Sequence, residues 1–299
     1  MSMIKKMRRG SWVLLLVPYL VFFSLFIIVP ILAAIGLSFT QFDSIQAPVF
    51  NGIDNYVRIF TQDTVFMQHV LPNTVLFSVI VGPGGYLLSV LMAWLLAQLT
   101  KVPRTIFTII VYSPSLTAGV IMTTVWQVIF SGDQAGYLNS LLIELGLVTQ
   151  PVTFLQSETM IMPIMIFVSL WSSMGIGFLA ILAGFVGMDQ ELLEAARLDG
   201  VNSRFQELIY VIIPYTKPTM LFGAVMAMVN TFAGSGIGVS LSGTNPTPGY
   251  AGQLIVNHIE DVGYIRYEIG YASAVSVVLL LFIWWCSKVC YKVFDVSDQ

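Results

Sequence analysis

The chain contains six long apolar segments that carry charged residues only at their ends. They lie at about residues 12–39, 70–98, 105–130, 159–187, 218–241 and 268–287. A helix needs about 20 apolar residues to cross the hydrocarbon core of a bilayer, so each segment is long enough to do so. Only 10% of the residues are charged, against about a quarter in soluble domains, and the mean hydropathy is +0.84. We therefore predict an all-α membrane protein with a single transmembrane domain, residues 1–299, and six spans.

Lysine and arginine are distributed unevenly between the predicted loops. If the N-terminus is cytoplasmic, eleven of the thirteen basic residues face the cytoplasm, and only Arg58 and Arg266 face outside. Because cytoplasmic loops of membrane proteins carry such an excess, both termini are predicted to be cytoplasmic. The first apolar run is too long for a cleaved secretory signal, so it is predicted to remain as the first span. The expected location is the bacterial cytoplasmic membrane.

The predicted spans lack ionisable side chains away from their ends. Proton-coupled carriers need such groups at membrane depth, and intramembrane enzymes need a catalytic constellation of them. Both classes are therefore disfavoured, as is a charged solute that requires a buried counter-charge. A self-contained secondary carrier for a neutral polar solute stays open as the alternative, because a sodium site can be built from carbonyl oxygens. No lysine follows a glycine in the chain, which excludes the usual ATP-binding loop.

Neutral polar and aromatic side chains are the groups that the spans offer to a solute. The candidates for a substrate pathway are Tyr112, Ser115, Trp126, Trp171, Ser172 and Asn230. Aromatic faces with hydroxyl and amide partners suit a neutral, hydroxyl-rich molecule. Serine also serves close helix packing in membranes, and tryptophan is common at the membrane interface, so these structural roles remain open. Asn230 is the strongest candidate, because an amide at membrane depth is costly unless it is hydrogen-bonded or hydrated.

One predicted outer loop contains an apolar repeat at helical spacing. Leu138, Leu141, Leu142 and Leu145 fall in the loop at about 131–158. The spacing predicts a short amphipathic helix lying on the membrane surface. A docking surface for an external partner is the alternative.

Residues 188–217 form a charged, helix-forming segment on the predicted cytoplasmic side. Asp189 is placed to cap the N-terminus of a first helix, and Gly200 is placed to end it. Ser203 and Gln206 have the spacing of a capping box, which predicts a second helix running towards Pro214. The segment is thus predicted to be a helix–turn–helix knob between the fourth and fifth spans. A solvated helical connector with no partner is the alternative.

The order of residues in this knob resembles a known family. Glu194-Ala195-Ala196, followed by Gly200 and an apolar stretch ending at Pro214, is similar to the EAA loop of binding-protein-dependent ABC importer permeases. Other segments are similar to the carbohydrate-importing subgroup. They are Arg104-Thr-Ile-Phe, Tyr112-Ser-Pro-Ser-Leu, Trp126-Gln-Val-Ile-Phe, Gly270-Tyr-Ala-Ser-Ala274 and Pro214-Tyr-Thr-Lys-Pro218. Ten residues, where the family usually has nine, separate Gly200 from the final Val211-Ile-Ile213-Pro214 of this stretch. The turn or the second helix must therefore accommodate one additional residue.

The resemblance implies the six-span fold of type I ABC importer permeases, with the knob as a coupling element. It implies that a separate ATPase subunit grips the knob through Glu194, Ala195, Ala196, Asp199 and Gly200, with Pro214 fixing the return to the membrane. The chain would be non-catalytic and bind no cofactor, since ATP and Mg²⁺ would be held by the ATPase. The implied partners are a second, homologous permease subunit, two ATPase subunits and an extracellular solute-binding protein. Membrane lipid surrounds the chain, and no nucleic acid is expected.

Overall fold

The computed structural model describes residues 16–117, 119–233 and 236–294, and most of these are helical. The helices in chain order are α1 (Leu16–Leu37), α2 (Asp54–Thr61), α3 (Phe66–Ala97), α4 (Lys101–Leu116), α5 (Gly119–Ile129), α6 (Tyr137–Glu144), α7 (Ile161–Trp171), α8 (Ile176–Val186), α9 (Gln190–Leu198), α10 (Arg204–Tyr215), α11 (Lys217–Ala233), α12 (Ile237–Ser242), α13 (Ile255–Glu260) and α14 (Ile269–Phe294). Strands β1 (Thr40–Gln41) and β2 (Val49–Phe50) pair antiparallel, with Thr40 opposite Phe50. The predicted all-α class is confirmed. Residues 12–15 of the first predicted span and residues 234–235 of the fifth lie outside the described ranges.

Three of these helices are individually long and apolar enough to cross a membrane. They are α1 with 22 residues, α3 with 32, and Ile269–Lys292 of α14 with 24. Three helix pairs meet the same criterion only when each pair counts as one span: α4 with α5, α7 with α8, and α10 with α11. The axes of α7 and α8 differ by 41°, and those of α10 and α11 by 86°. The described residues therefore hold up to six spans. The α4–α5 and α7–α8 breaks lie inside segments that the sequence presents as continuous apolar runs, whereas the α10–α11 bend lies at Thr216, just before the fifth predicted span.

The contacts divide the chain into two compact units, of which the first comprises Met1–Asp63 and Ile259–Leu280. In this unit α2 is tied to the end of α1 by the buried side chain of Asn55. Its Nδ2 donates to the carbonyl oxygens of Ser38 and Thr40, each at 2.9 Å. Ser38 directly follows α1 and Thr40 begins β1, so the amide supplies a hydrogen-bond donor to two backbone carbonyl groups at the junction of these elements.

The first unit also contains the two basic residues that the sequence assigns to the outer side. Arg58 forms an ion pair with Glu268, and this contact raises the pKa of the guanidinium. Arg266 is 2.7 Å from the carboxylate of Asp261. Both positive charges are therefore paired with acidic side chains.

The second unit comprises Thr64–His258 and Leu281–Gln299, and α3, α8 and α11 pack against one another at its centre. Small residues allow α8 and α11 to approach closely. A Cβ atom at Gly177 would lie 3.2 Å from the Cα of Gly223, and one at Gly184 would lie 2.6 Å from Thr219 Oγ1. Contacts between small residues are typical of helices that pack in lipid.

Two apolar clusters form the core of the second unit. The first joins α3, α7 and α12 and includes Phe77, Val81, Ile161, Ile164, Met165, Val168, Leu241 and Leu254. The second joins α3, α8, α10 and α11 and includes Ala93, Leu96, Phe178, Ile181, Leu182, Phe185, Leu208, Ile212 and Met220. α10 is therefore packed into the same core as the central helices.

The predicted amphipathic helix in the loop at 131–158 is present as α6. Leu138 and Leu142 pack against the first cluster, whereas Leu141 and Leu145 are 52% and 63% exposed. α6 thus has an apolar face on the protein and a second apolar stripe that is exposed. Its position on the membrane surface stays a prediction.

Candidate functional site

A cavity of about 770 Å³ lies in the second unit where broken helices meet. Residues on both sides of the α4–α5 break and the α7–α8 break line it, together with the start of α12. They are Leu116, Thr117, Gly119, Ser172, Ser173, Gly175, Ile176, Gly236 and Ile237. Interrupted helices expose backbone groups that a continuous helix would satisfy internally, and transporters use such interruptions to bind solutes within the membrane.

Four of the six predicted pathway residues line this one cavity. Tyr112 and Ser115 come from α4, Ser172 from the end of α7 and Asn230 from α11. They are separated by up to 118 positions in the sequence, and the helix breaks bring them to a common space.

The two predicted tryptophans are not among the residues that line the cavity. Trp126 and Trp171 contact each other edge to face, with ring centroids 6.2 Å apart. Trp126 also stacks on Phe130 at 5.7 Å and meets the edge of Phe167 at 5.3 Å. The Nε1 of Trp126 is buried and has no hydrogen-bond partner among the described residues. The two rings thus pack against each other, with Trp171 half exposed, and their place in a substrate pathway stays a prediction.

Three hydroxyl groups of the cavity wall form the same kind of hydrogen bond. Each donates its proton to a carbonyl oxygen of its own helix: Ser115 to Tyr112 at 2.8 Å, Ser172 to Val168 at 3.1 Å, and Thr231 to Ala227 at 2.8 Å. A hydroxyl whose proton is used in this way keeps its oxygen lone pairs as acceptors. These groups therefore suit a solute that brings its own hydroxyl donors.

Asn230 supplies a side-chain amide, which has donors as well as an acceptor. A Cβ atom at Gly175, in the α7–α8 break, would lie 3.7 Å from Asn230 Nδ2 and 3.9 Å from Ser115 Cβ. The absence of a side chain at Gly175 therefore leaves room between α4 and α11 at this point. Within the described residues that line the cavity, the phenol of Tyr112 is the one titratable group.

Sequence reasoning did not single out two polar residues of the cavity wall. Thr123 and Ser240 line it, from α5 and α12. Thr123 lies beyond the break that follows α4, so helical periodicity carried forward from Ser115 does not predict its direction. Gln127, by contrast, donates from Nε2 to the carbonyl oxygen of Ser240 at 2.7 Å and ties α5 to α12.

The first helix of the predicted coupling segment is α9. The Asp189 side chain accepts a hydrogen bond from the Glu191 N–H at 3.1 Å, which confirms the predicted N-cap. The helix ends at Leu198, and Gly200 follows with φ +97°, a conformation that L-residues rarely adopt. The predicted coupling residues lie on an accessible surface: Glu194, Ala195, Asp199 and Gly200 are exposed, and Ala196 is half-buried.

The second helix, α10, begins with the predicted capping box. Ser203 Oγ accepts from the Gln206 N–H at 3.1 Å, and Gln206 Oε1 accepts from the Ser203 N–H at 3.2 Å. Leu208–Ile212 then forms a π-turn, whose hydrogen bonds close over five residues where an α-turn closes over four. The extra residue between Gly200 and the Pro214 ending is therefore accommodated inside α10.

Pro214 is exposed in the last turn of α10, just before the bend into α11. Thr216 occupies the bend and is 3% exposed, and its Oγ1 donates to the carbonyl oxygen of Ile212 at 2.6 Å. Leu208 and Ile212 belong to the second apolar cluster, against which Tyr112 of the cavity wall is also packed. One packed core thus contacts both the knob and the cavity.

Comparison with known proteins shows which family this chain resembles. Residues 85–295 match the family model described as binding-protein-dependent transport system inner membrane component. The probable ABC transporter permease protein YurN of Bacillus subtilis (strain 168) is 31% identical over 292 residues, which cover 96% of each chain. The arabinooligosaccharides transport system permease protein AraP of the same organism is 27% identical, over 95% of this chain and 88% of the relative.

Solved structures share the fold. The crystal structure of a bacterial ABC transporter involved in the import of the acidic polysaccharide alginate has a chain that matches with a TM-score of 0.79, 22% identity and full coverage of both chains. A crystal structure of bacterial alginate ABC transporter in complex with alginate pentasaccharide-bound periplasmic protein gives the same TM-score and identity, with 98% of both chains covered. At this identity the match establishes the permease fold alone.

The family match covers well over half of the chain, and YurN is similar along almost its whole length. These findings support the importer interpretation and not the self-contained carrier. The chain therefore belongs to the family of binding-protein-dependent transport system inner membrane components, as a multi-pass, non-catalytic permease subunit of an ABC transporter.

Proposed function

We propose that this chain is one of two permease subunits of an ATP-driven importer that moves a neutral carbohydrate. A solute-binding protein outside the membrane would deliver the carbohydrate, and two ATPase subunits inside would supply the energy. The observation that carries the proposal is the cavity at the helix breaks, whose uncharged wall combines apolar side chains with a set of hydroxyl acceptors and the Asn230 amide. The chain itself would bind no cofactor, and ATP and Mg²⁺ would belong to the ATPase subunits.

The cavity chemistry favours a neutral sugar over an acidic one. Bringing a carboxylate into a membrane cavity without a counter-charge is costly, and the described lining residues include no lysine, arginine or histidine. Sugar hydroxyl groups would donate to the serine and threonine oxygens, and the Asn230 amide would donate to sugar oxygens. A volume of about 770 Å³ is in the range of pockets that enclose small-molecule ligands. The relative named for arabinooligosaccharide transport supports this solute class.

The second part of the proposal concerns energy transfer. An ATPase subunit would grip the exposed face of α9 and the turn at Gly200, and movement there would pass through α10 into the second apolar cluster. That cluster also packs against Tyr112, so a shift of α10 would act on the cavity wall. Two ATPase subunits need two such knobs, and this chain supplies one, so a second permease subunit is required. A homologous but different chain fits best, with all termini cytoplasmic.

The periplasmic protein in the alginate transporter complex supports a solute-binding partner. In the proposed cycle, loaded binding protein and ATP favour an outward-open state, and hydrolysis returns the subunits to an inward-open state. Each partner must bind one state more tightly than the other, since a ligand with equal affinity for both moves nothing.

The test is transport by the assembled complex in proteoliposomes. The chain would be co-expressed with its homologous permease, ATPase and binding protein, and uptake of labelled arabino-oligosaccharides would be compared with uptake of alginate oligosaccharides. We expect ATP-dependent uptake of the neutral sugars alone. Uptake driven by an ion gradient without ATPase, or preferential uptake of the acidic sugar, would contradict the proposal.

Asn230→Leu is the matching variant within the cavity. It removes the amide while keeping a similar volume, and we expect about tenfold lower uptake, because a lost hydrogen bond to a desolvated solute corresponds to about 1 kcal/mol or somewhat more. Val229→Leu is the matched control, since Val229 is the preceding residue of α11 and does not line the cavity. Loss of complex assembly by Asn230→Leu would instead assign Asn230 to helix packing.

A further inference from the structure

A buried carboxylate joins the two helices of the knob. The side chain of Glu207, on α10, is only 7% exposed. Its Oε1 accepts a hydrogen bond from Arg197 Nε of α9 at 2.8 Å, and its Oε2 lies 3.4 Å from an Nη atom of Arg204. Arg204 is three residues before Glu207 in the same helix, so the Arg197 contact is the ion pair that bridges α9 and α10.

α9 has little other attachment to the core. No residue of α9 is fully buried. The partly buried side chain of Leu193 packs against the second apolar cluster. α10, in contrast, inserts Leu208 and Ile212 into that cluster. A displacement of α9 therefore reaches the core mainly through its connection to α10.

The hydrogen bonds of the turn between α9 and α10 do not by themselves fix the angle between these two helices. Val201 N–H donates to the Ala196 carbonyl at 3.0 Å, and Asn202 N–H donates to Gln206 Oε1 at 3.0 Å. These bonds close the end of α9 and the start of α10 separately. The Arg197–Glu207 pair acts between them, one helical turn away from Gly200.

We propose that Glu207 is a positioning residue that locks α9 onto α10, so that the knob moves as one rigid piece when the ATPase pushes it. This inference rests on the proposed coupling role of the knob. The carboxylate touches neither the solute nor nucleotide and acts through Arg197. Without the Glu207 carboxylate, α9 would rotate about the turn at Gly200, and part of the movement imposed by the ATPase would not reach α10.

The burial pattern makes the pair asymmetric. Arg197 and Arg204 are 49% and 63% exposed, so either guanidinium can be hydrated if Glu207 is removed. If Arg197 is removed, the buried Glu207 carboxylate keeps only the longer contact with Arg204, and a buried charge that is incompletely paired is unfavourable. Glu207→Gln is therefore the milder variant for folding, and Arg197→Gln the more disruptive one, although both release α9.

The experiment uses the complete complex in proteoliposomes and measures solute imported per ATP hydrolysed, with hydrogen exchange of the α9 amides as the structural readout. The variants are Glu207→Gln, Arg197→Gln and, as the matched control, Arg204→Gln, which removes the contact made within α10. We expect Glu207→Gln and Arg197→Gln to lower the transport-to-hydrolysis ratio about tenfold and to speed exchange in residues 190–198, with α11 unchanged. Arg204→Gln is expected to stay within about twofold of the wild type on both measures.

A charge exchange separates positioning from a simple loss of stability. In the Arg204→Gln background, Arg197→Glu combined with Glu207→Arg should recover most of the coupling that either single exchange removes. An unchanged transport-to-hydrolysis ratio in Glu207→Gln, with normal α9 exchange, would overturn the proposal. So would equal losses in Arg204→Gln and Arg197→Gln. Failure of the proposed function would look different, because the wild-type complex would then show no binding-protein-stimulated uptake at all.

Discussion

Gly200 offers the sharpest test of the predicted coupling turn, because its backbone conformation favours glycine and the space beside its Cα is open. Its φ is +97°, and no atom lies within 4 Å of the position where a Cβ would be. Alanine at this site therefore adds backbone strain and no steric clash. An L-residue in the left-handed region costs about 1–2 kcal/mol. That strain would lower the ratio of native to opened turns about 5- to 30-fold if the turn opens locally.

Gly146 provides an unusually close control. It follows α6 as Gly200 follows α9, with φ +69° and open space at the Cβ position. The hydrogen bonds of the two turns also match. Leu147 N–H donates to the Leu142 carbonyl at 2.9 Å, as Val201 N–H donates to the Ala196 carbonyl at 3.0 Å. Gly146→Ala thus introduces the same kind of strain in a different loop.

The assay is binding-protein-stimulated ATP hydrolysis together with solute uptake, at equal amounts of assembled complex. We expect Gly200→Ala to lower the ratio of uptake to hydrolysis, Gly200→Asp to lower it further by adding charge, and Gly200→Asn to be milder, since asparagine tolerates positive φ. Gly146→Ala should leave the ratio unchanged. The reasoning is refuted if Gly200→Ala couples normally, or if Gly146→Ala uncouples to the same extent.

Three further variants probe other parts of the molecule. Glu194→Lys reverses a charge on the exposed face of α9. Uptake should be mostly abolished, while the amount of purified complex should show that the chain still inserts into the membrane. Normal uptake would mean that Glu194 is not part of the coupling face. In Gly184→Leu the new Cβ would lie 2.6 Å from Thr219 Oγ1, and this clash should destabilise the complex by about 1–3 kcal/mol. The Tm in detergent should fall accordingly, and an unchanged Tm would show that α8 and α11 separate easily. Asn55→Ala leaves the carbonyl groups of Ser38 and Thr40 without their donor and should lower the stability by about 1–3 kcal/mol. Limited proteolysis near α2 should then be faster, whereas an unchanged rate would mean that water replaces the amide.

Features that depend on neighbours in the chain could be predicted well from the sequence. The caps at Asp189 and Ser203, the capping box with Gln206 and the helix end at Gly200 all appear as predicted, because each involves residues only a few positions apart. The similarity of Glu194-Ala195-Ala196 and Pro214 to the EAA loop led to the family that the comparisons establish. Their contact with an ATPase stays a prediction.

The cavity shows where local reasoning stops. Asn230, Tyr112, Ser115 and Ser172 were singled out by residue type, and the structure places them around one space. The same reasoning chose Trp126 and Trp171 equally, although their rings pack against each other and do not line the cavity. Residue type does not distinguish these cases, since the directions of side chains depend on where the helices break.

The amino-acid sequence by itself determined that this chain resides in a bilayer, where the polar knob lies and which residues cap its helices. Those properties follow from hydropathy over about 20 residues and from hydrogen bonds within one helical turn. Only the tertiary structure decided that the spans break around a shared neutral cavity and that Glu207 bridges to Arg197. Helix packing sets both, through side chains that are distant along the chain, and a pattern of apolar residues contains no information on which of them meet.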